Sequence, residues 1–315
     1  MRTILVTGAA TWVGGRLVQR LEARSDTTVV PVDELAPRVP FATPLLKASL
    51  DTLEFARTVI EIRPDVVIHL QTLDRTAELG RVRAREGMVL GAQALFGAIS
   101  RVRTVRQVLV KSDTAIYGAG PRHPSILNEL TDVAERTTTR YERSLEEVER
   151  FVADVAAKMP DVDFTMLRFV GIFGEALGNG ISHYLRLPTV PTILGWDPRL
   201  QLIHEDEAVR AVLHTLDHPV PGTFNIAADG QLYLSRILRL GKRRVRPIPR
   251  PQFERALRVL GAGELAKQRH LLSLLQHGRV VDTTRMRQIL GFSSLLDCRQ
   301  TVLAGYGRLD AALAV

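Results

Sequence analysis

Short apolar runs alternate with stretches of helical spacing over the first half of the chain. Ile4–Thr7 is an apolar run of strand length, and the next stretch places Val13, Leu17 and Leu21 on one side of a helix. The further predicted strands are Thr27–Asp33, Asp65–Leu70, Val105–Ser112 and Asp163–Phe169, and the further predicted helices are Leu53–Ile62, Gly91–Ile99 and Arg140–Lys158. This alternation predicts an α/β fold with a doubly wound parallel (Rossmann) sheet.

After Phe169 the pattern becomes irregular. Pro188, Pro191 and Pro198 predict a loop region, and Leu234–Gln276 is basic and mostly helical in pattern. We therefore predict a Rossmann domain over residues 1–170. A smaller, interleaved C-terminal lobe is predicted over residues 171–315, with segments that return to the Rossmann sheet.

The composition is that of an ordinary globular protein. Of 315 residues, 45% are hydrophobic and 24% are charged. No window approaches the roughly 18 uncharged apolar residues of a membrane span, and the first predicted strand begins too early for a signal peptide ahead of it. A single cysteine, Cys298, argues against a disulfide framework and for a reducing interior. These features favour a cytoplasmic location.

The net charge of +8 raises the question of an anionic partner. Seven basic side chains fall within the fifteen residues Arg236–Arg250. This segment either contacts an anionic ligand or partner, or forms a solvated face. No nucleic-acid motif accompanies it, so the charge supports only nonspecific attraction to phosphate.

The turn after the first strand, TGAATWVGG, resembles a phosphate-binding turn in which one glycine is replaced. Gly8 and Gly14 occupy the positions that need a tight turn and a close contact between helix and strand, and Thr11 occupies the middle position. The Thr11 hydroxyl can bond a phosphate oxygen, but its branched Cβ resists a positive φ. The helix that begins near Trp12-Val13 offers free N–H groups and a favourable dipole to a phosphate.

An acid follows at the position that a dinucleotide site requires. Asp33 ends the second predicted strand, 25 residues after Gly8, where a carboxylate can accept hydrogen bonds from the adenosine ribose. A carboxylate there repels a 2′-phosphate, so NAD(H) is favoured over NADP(H), although Arg38 leaves NADP(H) as an alternative. The other interpretation of Asp33 is a loop acid that begins a turn.

Segments in a fixed order along nearly the whole chain resemble the extended short-chain dehydrogenase/reductase family, the NAD-dependent epimerase/dehydratase group. The resemblance is strongest to actinobacterial epimerase-like members, in which the active-site pattern is also eroded. The segments, with the turn and Asp33, are Val66–Thr72, Val108–Gly118, Met166–Gly174, Leu200–Val212, Gly222–Gly230 and Asp282–Phe292.

The resemblance implies further cofactor contacts. Ser49 and Leu50 match the pair that contacts adenine, where the family usually has an aspartate before an aliphatic residue. Leu70, Gln71 and Thr72 match the stretch that lines the cofactor, and Gln71 is larger and more polar than the usual alanine. Phe169 and Val170 match the strand end that approaches the nicotinamide.

The resemblance also implies a catalytic set that this chain retains only in part. The family uses a tyrosine as acid/base, a lysine four residues later, a serine or threonine, and often a helix asparagine. Tyr141 matches the tyrosine, but Leu145 stands at the lysine position and Met88 at the asparagine position. Asp113 matches the serine, and the adjacent Thr114 restores a hydroxyl only if the register shifts by one residue, which reverses the face of a strand.

The missing lysine matters because a phenol is a weak acid. Lowering the tyrosine pKa from about 10 to about 7 requires roughly 4 kcal/mol of differential stabilisation of the phenolate. Leu145 supplies none of it, so we expect alcohol oxidation by Tyr141 to be impaired. In an alternative site, Asp113 acts as the base and is paired with Lys111; otherwise Asp113 is a strand-end acid and Tyr141 a helix-surface aromatic.

The sequence therefore leaves two main interpretations. One is an NAD-dependent epimerase/dehydratase-type enzyme acting on a nucleotide sugar or another anionic small molecule. The other is a non-catalytic NAD-sensing or partner-docking scaffold. A homodimer is compatible with both. No metal site is expected, because the eight histidines lack metal-ligand spacing and His204-Glu205-Asp206 matches the start of a structural helix in the family.

Overall fold

The computed structural model describes residues 1–71, 81–133, 139–177 and 180–309. The side chains of Arg81, Val82, Arg85 and Glu86 lie outside this description. In chain order the strands are β1 Arg2–Thr7, β2 Thr27–Asp33, β3 Leu46–Lys47, β4 Val66–His69, β5 Gln107–Asp113, β6 Asp163–Phe169, β7 Gly171–Phe173, β8 Thr189–Ile193, β9 Arg199–Leu200, β10 Leu202–His204, β11 Gly222–Ile226, β12 Leu232–Tyr233 and β13 Arg244–Ile248.

The α-helices among the described residues carry their own numbers. In chain order they are α1 Trp12–Glu22, α2 Leu53–Ile62, α3 Arg81–Ile99, α4 Arg140–Ala156, α5 Gly180–Arg186, α6 Glu205–Asp217, α7 Leu234–Leu240, α8 Phe253–Val259, α9 Arg269–His277, α10 Thr284–Gln288 and α11 Cys298–Gly305. A 3₁₀ turn, Thr114–Tyr117, directly follows β5.

The chain divides into two compact units that alternate along the sequence. Unit 1 consists of Met1–Asp113, Arg143–Arg168 and Val209–Phe224. Unit 2 consists of Thr114–Glu142, Phe169–Ala208 and Asn225–Val315. The domain boundary at residue 170 stays a prediction.

Unit 1 is built around a seven-stranded sheet in the order β11-β6-β5-β4-β1-β2-β3. The pairs β1–β2, β1–β4, β2–β3 and β4–β5 are parallel. From β1 the chain builds the sheet towards β3 and then, from β4, towards the other edge. The predicted doubly wound α/β fold is therefore confirmed, and its switch point lies between β1 and β4, where such sheets bind ligands.

Local sequence explains why the elements of unit 1 begin and end where they do. Ile4, Leu5 and Val6 are fully buried, because a central parallel strand is covered by helices on both faces. The Thr52 hydroxyl caps α2 by accepting the Phe55 amide at 3.1 Å. That helix ends at Arg63, whose backbone is left-handed with φ 51°, directly before a proline.

Unit 2 contains small sheets and short helices around an apolar core. Its two-stranded sheets are β10-β7, β12-β9 and β13-β8. Fully buried side chains such as Phe173, Tyr184, Ile237, Phe253 and Val302 form the centre of that core. The last helix, α11, begins with a reciprocal capping box between Asp297 and Gln300.

One prediction for the second half of the sequence is wrong, and another missed a strand. Pro191 does not interrupt a loop but lies within strand β8, which pairs in parallel with β13. The segment Leu234–Gln276 is mostly helical, as predicted, but strand β13 (Arg244–Ile248) interrupts it. A two-stranded sheet tolerates proline where the missing N–H is not needed for pairing, so pattern alone did not reveal either strand. The helix predicted at Gly91–Ile99 is the second half of α3.

Candidate functional site

The turn between β1 and α1 needs both of its glycines. Gly8 has a φ of +78°, and a Cβ built there would lie 3.0 Å from the carbonyl carbon of Leu70. A Cβ on Gly14 would lie 2.2 Å from the Gly8 carbonyl oxygen, which is inside any permitted contact. The backbone of the turn therefore approaches both the helix and the end of β4 as closely as a phosphate-binding turn does.

Thr11 is the N-cap of α1. Its φ is −71° and its ψ is 161°, so the expectation that a positive φ would oppose a branched side chain is wrong. The Thr11 hydroxyl donates to the Gly8 carbonyl oxygen at 2.8 Å and accepts the Gly14 amide at 3.0 Å. A β-branched residue fits here because an N-cap has extended backbone angles.

The start of α1 keeps backbone donors for an anion. By helix geometry the first N–H groups have no intrahelical acceptor. The Gly14 amide donates to the Thr11 hydroxyl. The Gly15 amide donates to the Thr11 carbonyl oxygen at 2.8 Å. The amides of Trp12 and Val13 remain at the positive end of the helix dipole, where a phosphate is favoured. The Arg16 guanidinium lies 5.7 Å from the Trp12 ring centroid.

Asp33 is built into the turn from the next strand. Its side chain is fully buried, with Oδ2 accepting the Ala10 amide and Oδ1 accepting the Leu35 amide, each at 3.0 Å. Both carboxylate oxygens therefore hold backbone around the turn. The hydrogen bond from ribose to Asp33 stays a prediction.

A cluster of polar side chains surrounds Arg83, which is on α3. The Arg83 guanidinium donates to Asp51 Oδ2 at 2.8 Å, to Ser49 Oγ at 2.7 Å and to Glu34 Oε2 at 3.3 Å. Ser49 in turn donates to Asp51 Oδ1 at 2.6 Å. The predicted adenine residue Leu50 is fully buried, and a Cβ on Gly91 would lie 2.9 Å from its Cβ. The loops after β2 and β3 are thus joined through one side chain.

The end of β4 carries two buried polar side chains. His69 Nδ1 is 2.7 Å from Thr7 Oγ1, and burial lowers the His69 pKa from 6.5 to about 3, so the ring is neutral. Leu70 and Gln71 follow, both buried. Among the residues that the structure describes, the buried Gln71 Oε1 has no hydrogen-bond partner. Thr72 lies outside the described residues.

The end of β5 carries the predicted acid. Asp113 is half-buried, and Lys111 two residues earlier is 4% exposed. Burial lowers the Lys111 pKa, and the Asp113 carboxylate opposes that shift. The neighbouring Ser112 hydroxyl donates to the Glu149 carboxylate on α4. Arg168 Nε lies 3.1 Å from each oxygen of the same carboxylate.

Helix α4 carries Tyr141 and Leu145, and their assignment to the family's tyrosine and lysine positions stays a prediction. Leu145 is fully buried, and Met88 on α3 is 3% exposed. Neither side chain offers a charge or a hydrogen bond to a phenol. Tyr141 is one turn before Leu145 on α4 and is half-buried.

The remaining predicted residues belong to unit 2. There, the Tyr141 ring lies against the His270 ring, with centroids 4.4 Å apart. Thr114, Phe169 and Val170 are all buried. The structure thus brings Gly8, Thr11, Gly14 and Asp33 into one bonded turn within unit 1. Thr114, Tyr141, Phe169 and Val170 belong to unit 2.

Sequence reasoning missed three polar networks. The first joins Glu34, Asp51 and Arg83, and the second joins Ser112, Glu149 and Arg168. In the third, within unit 2, the Tyr117 hydroxyl donates to Asn225 Oδ1 at 2.8 Å. Of these residues, only Glu34 could have been noticed in the sequence, because it directly follows Asp33, the acid that ends β2.

Other chemistries find little support in the described part of the chain. Residues 1–71, 81–133, 139–177 and 180–309 contain no group of three or more His, Cys, Asp or Glu that could hold a metal ion. Within the same ranges, no helix is both long and apolar enough to cross a bilayer. Burial raises the pKa of the Cys298 thiol to about 11, so this cysteine is a weak nucleophile.

The residues of unit 1 fit a bound dinucleotide. Gly8 and Gly14 leave the backbone cradle that a Cβ would fill, and the start of α1 offers amides to a pyrophosphate. Gln71 provides a buried acceptor without a partner in the described chain. A parallel sheet with this turn at its switch point defines a Rossmann-type α/β protein.

Comparison with known proteins gives the family. Residues 4–227 match the NAD dependent epimerase/dehydratase family. An uncharacterized protein of Mycobacterium tuberculosis is 33% identical over 305 residues, covering 92% of this chain and 80% of its own. The dTDP-4-dehydro-6-deoxy-D-allose reductase of Streptomyces bikiniensis is 22% identical over 320 residues, covering 92% and 91%. The chain belongs to the NAD dependent epimerase/dehydratase family.

Solved structures support the same fold. The UDP-glucose 4-epimerase of Thermotoga maritima, solved with UDP-glucose, has a TM-score of 0.77 at 16% identity and covers 99% of each chain. The Thermus thermophilus UDP-glucose 4-epimerase, solved with NAD, has a TM-score of 0.75 at 19% identity, covering 98% of this chain and 99% of its own. At these identities the similarity is one of fold.

Proposed function

We propose that this protein binds NAD(H) in unit 1 and acts on a nucleotide sugar or another anionic small molecule, with the family's tyrosine chemistry weakened at Leu145. The observation that carries the proposal is the turn, in which Gly8 and Gly14 keep the cradle and Thr11 replaces the middle glycine as a helix cap. Support also comes from the family and from relatives of known fold solved with NAD or UDP-glucose.

Each candidate cofactor residue has a proposed role in binding. The amides of Trp12 and Val13 bind the pyrophosphate, and Asp33 holds the turn in place and faces the ribose. Ser49 and Leu50 contact the adenine, and Leu70, Gln71 and Thr72 line the cofactor. The approach of Phe169 and Val170 to the nicotinamide stays a prediction. Bound NAD⁺ supplies a hydride acceptor.

The proposed proton chemistry rests on Tyr141, with a weak driving force. The buried Leu145 carries no charge, so that position offers no electrostatic stabilisation to a phenolate. Thr114 is the candidate hydroxyl, and Asp113 with the buried Lys111 is the alternative acid/base pair. Slow turnover is the expected consequence.

Direct titration with NAD⁺ and NADH tests the proposal. Trp12 begins α1 beside the proposed pyrophosphate site, so bound NADH should quench its fluorescence. We expect dissociation constants below about 1 mM, with the quenching lost in Trp12→Phe and retained in Trp196→Phe. If neither dinucleotide bound at millimolar concentration, the proposal would be wrong.

A second candidate is a non-catalytic NAD-sensing or docking scaffold. The observation in its favour is that the basic side chains Arg236, Arg239, Lys242, Arg244 and Arg246 are all exposed. This candidate predicts NAD⁺ binding without turnover, together with salt-sensitive binding to a polyanion that Arg244→Ala/Arg246→Ala weakens. Polyanion binding that did not decrease steeply with salt would exclude contacts to phosphates. Homodimer formation and a cytoplasmic location stay predictions.

A further inference from the structure

The turn after β8 carries two large apolar side chains on the surface of unit 2. Leu194 is 59% exposed and Trp196 is 43% exposed. Gly195, between them, has a φ of +83°, and the Trp196 amide donates to the Ile193 carbonyl oxygen at 3.1 Å. The Trp196 ring also packs edge-on against the His277 ring, with centroids 4.9 Å apart. This turn, the apolar tip (residues 194–196), therefore holds both side chains towards solvent in a defined backbone geometry.

Hydrogen bonds join the apolar tip to the basic segment at two places. The Leu194 amide donates to the Ile248 carbonyl oxygen at 2.9 Å, at the end of β13. Asp197, directly after the tip, accepts the Ser235 amide at 2.8 Å and the Ser235 hydroxyl at 2.7 Å, at the start of α7. Arg236 is the next residue of that helix and is exposed. The tip is thus bonded to both of the elements that carry the exposed cations.

The surface around the tip combines positive charge with exposed apolar area. Residues 236–250 contain seven basic side chains and no acid. Tyr233, directly before α7, is 55% exposed. We define the basic–aromatic surface by six exposed residues, which are Leu194, Trp196, Tyr233, Arg236, Arg244 and Arg246. Such a surface fits a partner that is both anionic and able to cover apolar side chains.

The backbone of β13 argues against a peptide strand as that partner. The Arg244 amide donates to the Pro188 carbonyl oxygen at 3.3 Å, and the Ile248 carbonyl oxygen accepts the Leu194 amide, so Arg244, Arg246 and Ile248 face β8. In a parallel pair the residues between them face the other edge. Pro247 therefore removes an N–H from the open edge of this two-stranded sheet, which disfavours the addition of a third strand.

We propose that the basic–aromatic surface binds an anionic lipid bilayer, with the arginines contacting lipid phosphates and the apolar tip entering the interfacial layer. Anionic leaflets attract clustered Lys and Arg, and tryptophan is favoured at the boundary between headgroups and acyl chains. A nucleic acid would use the cations but would leave Leu194 without a partner. This inference goes beyond the proposed function and does not depend on NAD(H) binding.

Sedimentation of the full chain with lipid vesicles tests the charge. We expect binding to phosphatidylcholine vesicles that contain phosphatidylglycerol, weakening as salt is added, and no binding to phosphatidylcholine alone. Arg244→Ala/Arg246→Ala should lower the vesicle affinity at least about tenfold. The matched control, Arg101→Ala/Arg103→Ala, removes two exposed arginines from unit 1 and should leave the affinity nearly unchanged.

Variants of the apolar tip separate a bilayer from a bare polyanion. Leu194→Ala/Trp196→Ala should lower the vesicle affinity at least about fivefold without changing the affinity for a DNA duplex. Leu295→Ala, at an exposed leucine whose amide donates to Glu207, is the matched control and should change neither affinity. In Trp12→Phe, the emission of the remaining Trp196 should move to shorter wavelength when anionic vesicles are added.

Three results would overturn the inference. They are the absence of binding to anionic vesicles, vesicle binding that the tip variant leaves unchanged while its melting temperature equals that of wild type, and binding to the DNA duplex that is tighter than binding to the vesicles. None of them bears on the NAD⁺ titration, so this inference and the proposed function can fail separately.

Discussion

Thr11 and Leu145 are the two predicted departures from the family pattern, and their surroundings in the structure differ. Thr11 takes over a local task, because its hydroxyl bonds Gly8 and Gly14 and begins helix α1. Leu145 fills space within unit 1 and is fully buried, without replacing the charge that the family's lysine carries. A side-chain hydroxyl can order a turn in place of a glycine. Lowering the pKa of a phenol, by contrast, requires a charge or a hydrogen-bond donor near its oxygen.

This contrast is the reason that we propose retained NAD(H) binding together with reduced acid/base catalysis. Dinucleotide binding relies on backbone amides and on missing Cβ atoms, which several sequences can supply. Acid/base catalysis relies on the pKa of one side chain. A single substitution can change the stabilisation of its charged form by several kcal/mol.

The largest effect on cofactor affinity is expected in the turn itself. Gly14→Ala would place a Cβ 2.2 Å from the Gly8 carbonyl oxygen, and backbone atoms cannot move aside easily. We expect NAD⁺ affinity to decrease at least about 100-fold, or about 2.7 kcal/mol. Titration by tryptophan fluorescence measures this. The matched control is Gly97→Ala on α3, where an added Cβ meets nothing within 4 Å; equal effects at both glycines would contradict the role of the turn.

The next effect tests the other side of the comparison. Leu145→Lys introduces a charge at a fully buried position, so we expect the free energy of unfolding to decrease by about 3 kcal/mol. If the missing lysine is the main defect, NAD⁺-dependent oxidation of a sugar nucleotide should increase about 100-fold in the same variant. Leu145→Met should cost less than about 1.5 kcal/mol and leave turnover unchanged. A folded Leu145→Lys variant that binds NAD⁺ without any gain in turnover would argue for the scaffold.

A third effect concerns the support beneath the turn, where His69 contacts Thr7. Burial lowers the His69 pKa to about 3 in the folded protein, so only the unfolded chain binds this proton between pH 6.5 and 3. Stability from this group is complete above pH 6.5 and decreases as the pH falls, by about 1.4 kcal/mol at pH 5.5. Urea unfolding at pH 7.5 and 5.5 measures the decrease. The decrease in unfolding free energy between these pH values should be smaller in His69→Gln than in wild type. In His218→Gln, a variant at an exposed position, it should equal that of wild type.

The smallest effect tests the cap. Thr11→Ala removes the hydroxyl that accepts the Gly14 amide and should cost about 1 kcal/mol of unfolding free energy. Thr11→Ser should retain nearly all of the stability, because serine is an equally good N-cap. Chemical denaturation of the three proteins measures the difference. Should Thr11→Gly bind NAD⁺ far more tightly than wild type, Thr11 would be obstructing the pyrophosphate rather than ordering the turn.

Much of unit 1 could be predicted because its signals are local. Apolar runs gave β1, β4 and β5, and helical spacing gave α1 and α2 with nearly correct ends. The two-residue strand β3 was missed, since so short a strand has no periodicity. In unit 2, β8 and β13 escaped notice because each forms only by pairing with the other, a long-range event that neither proline-containing segment reveals alone.

The candidate site divides along the same line. The sequence alone determined the glycine turn and the acid at the end of β2, and it predicts a leucine at the family's lysine position, because these depend on residue type at a fixed spacing. Only the tertiary structure showed that Thr11 is a cap, that both Asp33 oxygens hold backbone amides, and that Arg83 from α3 bonds Glu34 and Asp51. Such hydrogen bonds join residues far apart in the chain, and their geometry exists only once the strands and helices have packed together.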